Sequence, residues 1–459
     1  MLEKKVDLID MDNPNILLIV LDAVRASDLS VYGYDRETTP YLSKISSHCV
    51  KYNNAISSSY WTMPSIASLF TGTYASRHSL VYDGDMLPGD FTTLAEFLRK
   101  NEYTTVGLSP HPYVSRYTGL DRGFEVFQDF MDTKGITHYL SEQLKNLFKK
   151  TQHNMAFKKI FWYLTMFSDQ HASKTNEYFY SLMNKIDIDN PFFFYIHYNE
   201  AHTPYILPKY YRDYFLKKNI HKKPWLVNQD HVKYYNGEIK MDKKDFMTLR
   251  AIYNGAIRYL DYLIFELLIF LMKRRLFDNT MIIITSDHGD QFGEHGLFFH
   301  VFSLYDQLIK IPILIKYPKK MGKYGIKNEI VQNVDLFPTI IDLIDVDDEE
   351  TLAQFQGNSL LSNRIRNRNE CYAISELIKP YGPSIEKYRN RLKIYDRTLM
   401  SIRTKNYKYM QKSDSMNEFY DLNNDPYEKL NLYNTNIKEI EMLRYMLSEW
   451  IKQNVYQGV

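Results

Sequence analysis

The chain has 459 residues, with 57 Lys and Arg against 55 Asp and Glu, a net charge of +2 and a pI near 8.1. So even a balance gives no global attraction for nucleic acid, and the length allows a large core in two or three domains. Cys49 and Cys371 cannot build a disulfide framework, which fits a reducing compartment.

In chain order, Met1 to Asp7 lacks the charged-then-apolar order of a signal peptide. Asn15 to Leu21 is a continuous apolar, β-branched run, the pattern of a strand buried on both faces of a parallel sheet. It is too short to span a bilayer and ends in Asp22-Ala23-Val24-Arg25, where open α/β sheets place their ligands. A strand-ending Asp is often only a helix cap; Arg25 can pair with a carboxylate or reach an anionic substrate.

Thr39-Pro40 begins a short helix and Val50 to Ala55 a further strand. Tyr60-Trp61-Thr62-Met63-Pro64-Ser65 then reads as the start of a helix, Pro64 fitting its first turn. The free N–H groups of that turn favour an anion beside Thr62, so its hydroxyl is a candidate nucleophile. An ordinary Thr N-cap is the plainer alternative. Thr92 to Lys100 follows as an amphipathic helix and Thr104 to Leu108 as a strand, with His111 in the polar loop beyond.

Residues 132–190 carry helical periodicity without a chemical motif. Pro191 to His197 is a buried strand running into a loop with His202, a site candidate beyond the strand end. Tyr210 to Lys244 is basic and aromatic, the composition of a lid or loop, and Lys243 to Leu276 is a long amphipathic helix. Its most apolar part, Tyr259 to Met272, is short and interrupted by Asp261 and Glu266, so the reading is a soluble cytoplasmic protein with no integral membrane segment.

Met281 to Thr285 is a second strongly buried strand, terminating in Ser286-Asp287-His288-Gly289-Asp290 with His300 downstream. Buried Asp and His must be paired or metal-bound to offset their desolvation. Ile311 to Lys316 is another strand and Asp335 to Leu343 a helix. Near residue 365 the βα alternation ends, dividing the chain into 13–365 and 366–459. Leu399 to Arg403, Tyr407 to Gln411 and Glu418 to Leu422 read as short antiparallel strands before a terminal helix, Lys438 to Asn454.

The strand ends and the helix start offer Asp22, Thr62, Asp287 and His288 as one metal site. Two carboxylates, an imidazole and a hydroxyl suit a divalent cation such as Mn²⁺, Mg²⁺ or Zn²⁺. Such an ion lowers the Thr62 hydroxyl pKa and neutralises an incoming oxyanion. The arrangement suits attack on phosphorus or sulfur through a covalent Thr62 intermediate, with His202 or His300 protonating the leaving oxygen.

These pieces, with Leu304–Ile315, Val334–Leu343 and Tyr420–Glu428, make the chain resemble the sulfatase family of the alkaline-phosphatase superfamily along essentially its whole length. The resemblance implies a large α/β domain with a mainly parallel sheet flanked by helices and a smaller C-terminal antiparallel-sheet subdomain. It places Asp22, Asp287 and His288 at metal-ligand positions and Thr62 at the nucleophile, with a divalent metal as cofactor (Mn²⁺ favoured; Mg²⁺, Zn²⁺ and Ca²⁺ compatible). Sulfatases carry Cys or Ser within Cys/Ser-x-Pro-x-Arg and oxidise it to formylglycine. Here the signature reads Thr62-Met63-Pro64-Ser65-Ile66, and the paired Asp-Asp of calcium sulfatases is Asp22-Ala23. A threonine cannot yield that aldehyde.

The expected function is therefore phosphodiester or phosphonate ester chemistry, hydrolase or transferase, on small-molecule, glycan-linked or lipid-linked esters, with Arg25 and His111 as substrate-binding candidates. A sulfatase using unmodified Thr62 and a catalytically silent binding protein are the alternatives. Oligomeric state stays open.

Overall fold

The first apolar run pairs on both sides. In the computed structural model, which describes residues 13–130, 159, 168–186, 190–361, 372–378 and 392–455, β1 (Asn15–Leu21) lies between β5 (Phe192–Tyr198) and β6 (Thr280–Thr285), parallel to each. All 20 residues of these three strands are buried, as their unbroken apolar sequences require. Around them are β2 (Val50–Ile56), β3 (Thr104–Ser109), β4 (Val126–Asp129), β7 (Lys310–Lys316) and β8 (Gly325–Gln332), in the order β4-β3-β5-β1-β6-β7-β2-β8.

Seven strands run in one direction and β7 is antiparallel to both neighbours, β6 and β2. β4 and β8 carry no clear apolar run and had no expectation from the sequence. They are the sheet edges, where strands are partly exposed: Gly325 to Glu329 face solvent before Ile330 turns inward.

Each sheet face is covered by helices. One apolar core joins alternate residues Ile16, Leu18 and Val20 to the helix Thr62–Thr71 and to Leu336–Ile344; the other joins Leu17, Ile19 and Leu21 to Lys243–Lys273. The expected long helix is 31 residues, opened by a capping box between Asp242 and Asp245. No helix among the described residues is long and apolar enough to cross a membrane.

The second sheet is antiparallel, in the order β12 (Glu418–Asp421), β11 (Tyr407–Lys412), β10 (Leu399–Arg403) and β9 (Ala373–Leu377), packed against the terminal helix Lys438–Asn454. Three of the four strands were expected. β9 was not, because Ser375 and Glu376 interrupt its apolar pattern. Residue 365, Cys371 and most of the 132–190 stretch lie outside the described residues; within that stretch Ala172–Met183 is a helix. The expected lid, Tyr210 to Lys244, carries short helices at Lys209–Arg212, Pro224–Leu226 and His231–Tyr235.

Candidate active site

β1 and β6 are adjacent, so the residues past their ends meet. The Asp22 N–H donates to the carbonyl of Tyr198 at the end of β5 (2.9 Å). Ala23, in the left-handed region at φ 59°, turns its own N–H onto Asp287 Oδ1 (3.2 Å). The same oxygen accepts the His288 N–H at 2.9 Å, which leaves Asp287 Oδ2 without a hydrogen-bond partner.

Thr62 approaches from the Thr62–Thr71 helix. It is the first helical residue and Trp61 is the N-cap, without a side-chain cap. The plainer reading of Thr62 as an N-cap is thereby corrected, because Trp61 holds the cap position and Thr62 begins the helix. Thr62 Oγ1 lies 3.2 Å from His288 Nε2. Two seryl hydroxyls fix this helix to the β6 loop: Ser57 Oγ and Ser65 Oγ both donate to the Asp287 carbonyl, at 2.6 and 2.7 Å.

His288 Nδ1 is 2.8 Å from the Gly289 carbonyl, so this nitrogen carries the proton and Nε2 presents a lone pair. That lone pair faces Thr62 Oγ1, Asp287 Oδ2 at 3.4 Å and Asp22 Oδ1 at 3.7 Å. Asp22 Oδ1 is likewise buried without a partner. One ligand atom from each of Asp22, Asp287 and His288 lies within 4.8 Å of the others, and all three residues are fully buried. The partnerless oxygens of Asp22 and Asp287, buried and turned on one another, form a mutually repulsive pair that a cation resolves. The donor set, carboxylate oxygens and one imidazole nitrogen with a hydroxyl alongside, is that of a divalent ion.

The other oxygen of Asp22 is occupied. His197 Nε2 approaches Asp22 Oδ2 at 3.3 Å and His111 Nε2 at 3.5 Å. His111 Nδ1 accepts the Tyr113 N–H (3.2 Å) and His197 Nδ1 pairs with the Tyr195 hydroxyl (2.8 Å), so both rings can turn a protonated Nε2 to the carboxylate. Burial alone would raise the Asp22 carboxyl, but the imidazoles of His202, His197 and His111 hold it below the usual range. Burial raises Asp287. Burial lowers His111 to about 3, although Asp22 opposes the shift.

His111, a substrate-binding candidate from the sequence, thus lies against Asp22, a metal-ligand candidate. His197 is a site residue that the sequence reading passed over. It looks like strand interior, yet it shares a face with Tyr195 by the period-two rule, and that face meets the Thr62–Thr71 helix.

The two acid candidates are close: the His202 and His300 rings are 4.9 Å apart and the His300 ring is 4.4 Å from His288. His202 is half-buried, with Nδ1 2.5 Å from the Thr203 carbonyl. His300 is buried, its Nδ1 3.8 Å from Asp290 Oδ1, and burial lowers its pKa well below the ordinary value. Asp290 itself is raised to about 7 by burial, against the influence of Arg25 and His288.

Arg25 pairs with carboxylates. Its Nη1 donates to Glu294 Oε1 at 2.9 Å, Nε lies 3.5 Å from Asp28, and the guanidinium covers the Phe292 ring. Glu294 is held at about 2: burial would raise it, and Arg25 overrides. Ile66 is fully buried in the core below the helix. Among the described residues, no Lys or Arg pairs with Asp22, Asp287 or His288.

Known proteins share the sequence pattern and the fold of this chain. The family profile described as Sulfatase matches residues 14–346, and one described as N-sulphoglucosamine sulphohydrolase, C-terminal, matches residues 293–456. The arylsulfatase of Clostridium perfringens (strain 13 / Type A) is 26% identical over 468 residues, covering 95% of this chain and 93% of its own. A solved protein in complex with its substrate D-glucosamine-2-N,6-O-disulfate superposes with TM-score 0.73 at 18% identity, covering 96% of this chain and 98% of that one. The phosphonate monoester hydrolase of Agrobacterium radiobacter gives TM-score 0.71 at 18% identity, covering 96% and 95%. At these identities the structural matches establish the fold.

Proposed function

The chain belongs to the sulfatase family, and we propose that it is a metal-dependent hydrolase or transferase of singly charged phosphodiester or phosphonate esters, with Thr62 as nucleophile. The observation that supports this reading is the Thr62 hydroxyl itself, 3.2 Å from His288 Nε2 at the start of a ten-residue helix and beside the Asp22–Asp287–His288 cluster.

Asp22, Asp287 and His288, with Thr62, would hold the metal, which lowers the hydroxyl pKa and offsets charge on the ester oxygens. The rest is the work of the chain. The N–H groups opening the Thr62–Thr71 helix face the ester's non-bridging oxygens. Thr62 Oγ1, its proton already lost to solvent, attacks phosphorus as an alkoxide; the Oγ1–P bond forms, the bond to the leaving oxygen breaks, and that oxygen takes a proton from His202, since burial keeps His300 uncharged. The same imidazole then accepts a proton from water or an acceptor alcohol, whose oxygen attacks phosphorus and releases Thr62. An aldehyde hydrate carries a second hydroxyl able to expel the bound ester; threonine does not, so the intermediate must open by attack at its central atom.

Charge supports singly charged esters. A divalent ion would balance Asp22 and Asp287, and no Lys or Arg among the described residues pairs with those ligands to add a surplus. The partial charge of the helix N-terminus remains, enough for one negative charge rather than two. Sulfate monoesters share that single charge, and the 26%-identical Clostridium protein is named an arylsulfatase, so sulfate ester hydrolysis by unmodified Thr62 is the second reading.

The test is turnover of bis-p-nitrophenyl phosphate, p-nitrophenyl phenylphosphonate, p-nitrophenyl phosphate and p-nitrophenyl sulfate with added Mn²⁺, wild type beside Thr62→Ala. The expected result is turnover of the diester or phosphonate, lost by at least about a thousandfold in Thr62→Ala. Turnover of the sulfate alone would replace the first reading by the second. Turnover that survives Thr62→Ala would remove Thr62 from the mechanism.

A further inference from the structure

The helix that begins at Thr62 is held at both ends by one strand of the other sheet. Before the helix, the Glu376 N–H donates to the Ser58 carbonyl (2.9 Å), Ser59 Oγ donates to the Glu376 carbonyl (3.1 Å), and Ser375 Oγ donates to the Ser57 carbonyl (2.6 Å). Beyond the helix, Glu376 Oε2 accepts the Ser76 N–H at 2.8 Å. Both Glu376 and Ser76 are buried, and Glu376 Oε1 has no partner. A second link runs through Gln332 at the end of β8, which exchanges two hydrogen bonds with Ile374 of β9 and accepts the Tyr74 hydroxyl at 2.7 Å.

A buried carboxyl is costly for a strand to carry, and packing alone would favour an apolar residue. The backbone N–H and carbonyl of Glu376 hold the segment before Thr62 and its carboxyl holds the segment after the Thr62–Thr71 helix, so the helix cannot shift along its axis without breaking one of these attachments. Ser57, held from above by Ser375, also bonds the Asp287 carbonyl from below. The hold on the nucleophile helix and the hold on the metal loop are thus one hydrogen-bonded chain.

We propose that Glu376 is a positioning residue for the reaction: through β9 the C-terminal sheet braces the Thr62–Thr71 helix at both ends and so sets the distance from Thr62 Oγ1 to the metal cluster. The proposal rests on Thr62 being the reacting hydroxyl. The hydrogen bonds of Glu376 run to Ser58, Ser59 and Ser76 and to none of Thr62, Asp22, Asp287 and His288, so its effect passes through backbone placement. Misplacing a nucleophile by a fraction of an ångström lowers the rate of the chemical step far more than it lowers binding.

The experiment compares wild type, Glu376→Ala, Glu376→Gln and Leu447→Ala, the last loosening the C-terminal core while leaving every hydrogen bond of Glu376 in place. Amide hydrogen exchange of peptides covering residues 57–78 is read first, since it needs no substrate. Glu376→Ala should speed exchange of the Thr62–Thr71 helix by about tenfold or more relative to wild type and to Leu447→Ala. Glu376→Gln, whose amide oxygen still accepts the Ser76 N–H, should stay near wild type. With whichever p-nitrophenyl ester the wild type turns over, Glu376→Ala should lose about 10- to 100-fold in kcat with little change in KM or in Mn²⁺ affinity. Unchanged exchange in Glu376→Ala overturns the brace, as does wild-type kcat in that variant or an equal loss in Leu447→Ala. If the wild type turns over none of the esters, the reading of the reaction falls, and exchange alone decides the brace.

Discussion

Replacing Asp287 by Asn separates the two tasks of the cluster, because one change should stabilise the metal-free protein and abolish the metal response. Asp22 and Asp287 present oxygens within 4.8 Å of each other, with one partnerless buried oxygen on each residue. At that separation and an effective dielectric near 20, two carboxylates repel by about 3 kcal/mol, or one must take up a proton at a similar cost. In Asp287→Asn the side-chain amide keeps an oxygen for the Ala23 and His288 N–H groups, and its nitrogen stands where the partnerless oxygen stood. Metal-free Asp287→Asn should therefore be more stable than metal-free wild type by up to about 3 kcal/mol. Added Mn²⁺ reverses the order: a ligand at a hundredfold its Kd stabilises the folded wild type by about 2.7 kcal/mol, and the variant gains little. The assay is thermal unfolding of both proteins in chelator and in excess Mn²⁺, with bound metal measured in parallel. An equal Mn²⁺-induced shift in the two proteins, or a metal-free variant less stable than metal-free wild type, would refute the assignment of Asp287 as a ligand.

His197→Ala should weaken Mn²⁺ binding by about 10- to 100-fold while leaving Thr62 in place, since His197 orients Asp22 without facing the cluster, and a metal titration reads it directly. Gly289→Ala should displace the His288 loop, because an added Cβ would stand 2.1 Å from the Gln307 carbonyl; loss of bound metal, with destabilisation of about 2 kcal/mol or more, is the expected result. Asp261, held at about 7 by burial although it accepts the Tyr41 and Leu42 N–H groups, gives a pH effect away from the site. Its folded pKa lies above the unfolded 3.8, so its contribution is complete below about pH 4 and is lost as pH rises through 7. Asp261→Asn should remove that fall, gaining up to about 4 kcal/mol on wild type between pH 4 and pH 8 in denaturant titrations, and parallel profiles would contradict it.

The legible part of this protein is what depends on local pattern. Asp22, Asp287 and His288 follow apolar strands too regular to mistake, and Thr62 precedes a proline in a first helical turn. The β1–β6 pairing then brings strand ends together as the α/β rule requires. Direction and partnership were not legible. An apolar run such as Ile311 to Lys316 looks the same parallel or antiparallel, and β7 is reversed. His197 reads as strand interior until its register with Val20 sets it beside Asp22. Arg25 had two open roles, and its carboxylate partner Glu294, 269 positions away, could not be picked out from the sequence. Glu376 interrupts the apolar pattern of β9 and so hid the strand; its use appears only against Ser59 and Ser76, some 300 positions earlier.

The wall of the site gives the proposed ester preference a test by charge. Where an anion site would carry lysines or arginines, His111, His197, His202 and His300 surround Asp22 and His288, and Ile66 lies in the core. Arg25 pairs with Glu294 and Asp28. With the two carboxylates balanced by a divalent ion, no Lys or Arg among the described residues pairs with the metal-ligand candidates to offset a second negative charge on the substrate. One unbalanced charge at close range costs about 3 kcal/mol, or about a hundredfold in kcat/KM. The doubly charged monoester p-nitrophenyl phosphate should therefore trail p-nitrophenyl phenylphosphonate by about that factor at pH 8. The monoester gains a proton near pH 6 and the phosphonate ester does not, so the ratio of their kcat/KM values should narrow as pH falls to 5. Changes in the enzyme's own ionisation affect both substrates and largely cancel in the ratio. A ratio that is flat from pH 8 to pH 5, or a monoester preferred at pH 8, would mean that charge does not select the substrate here.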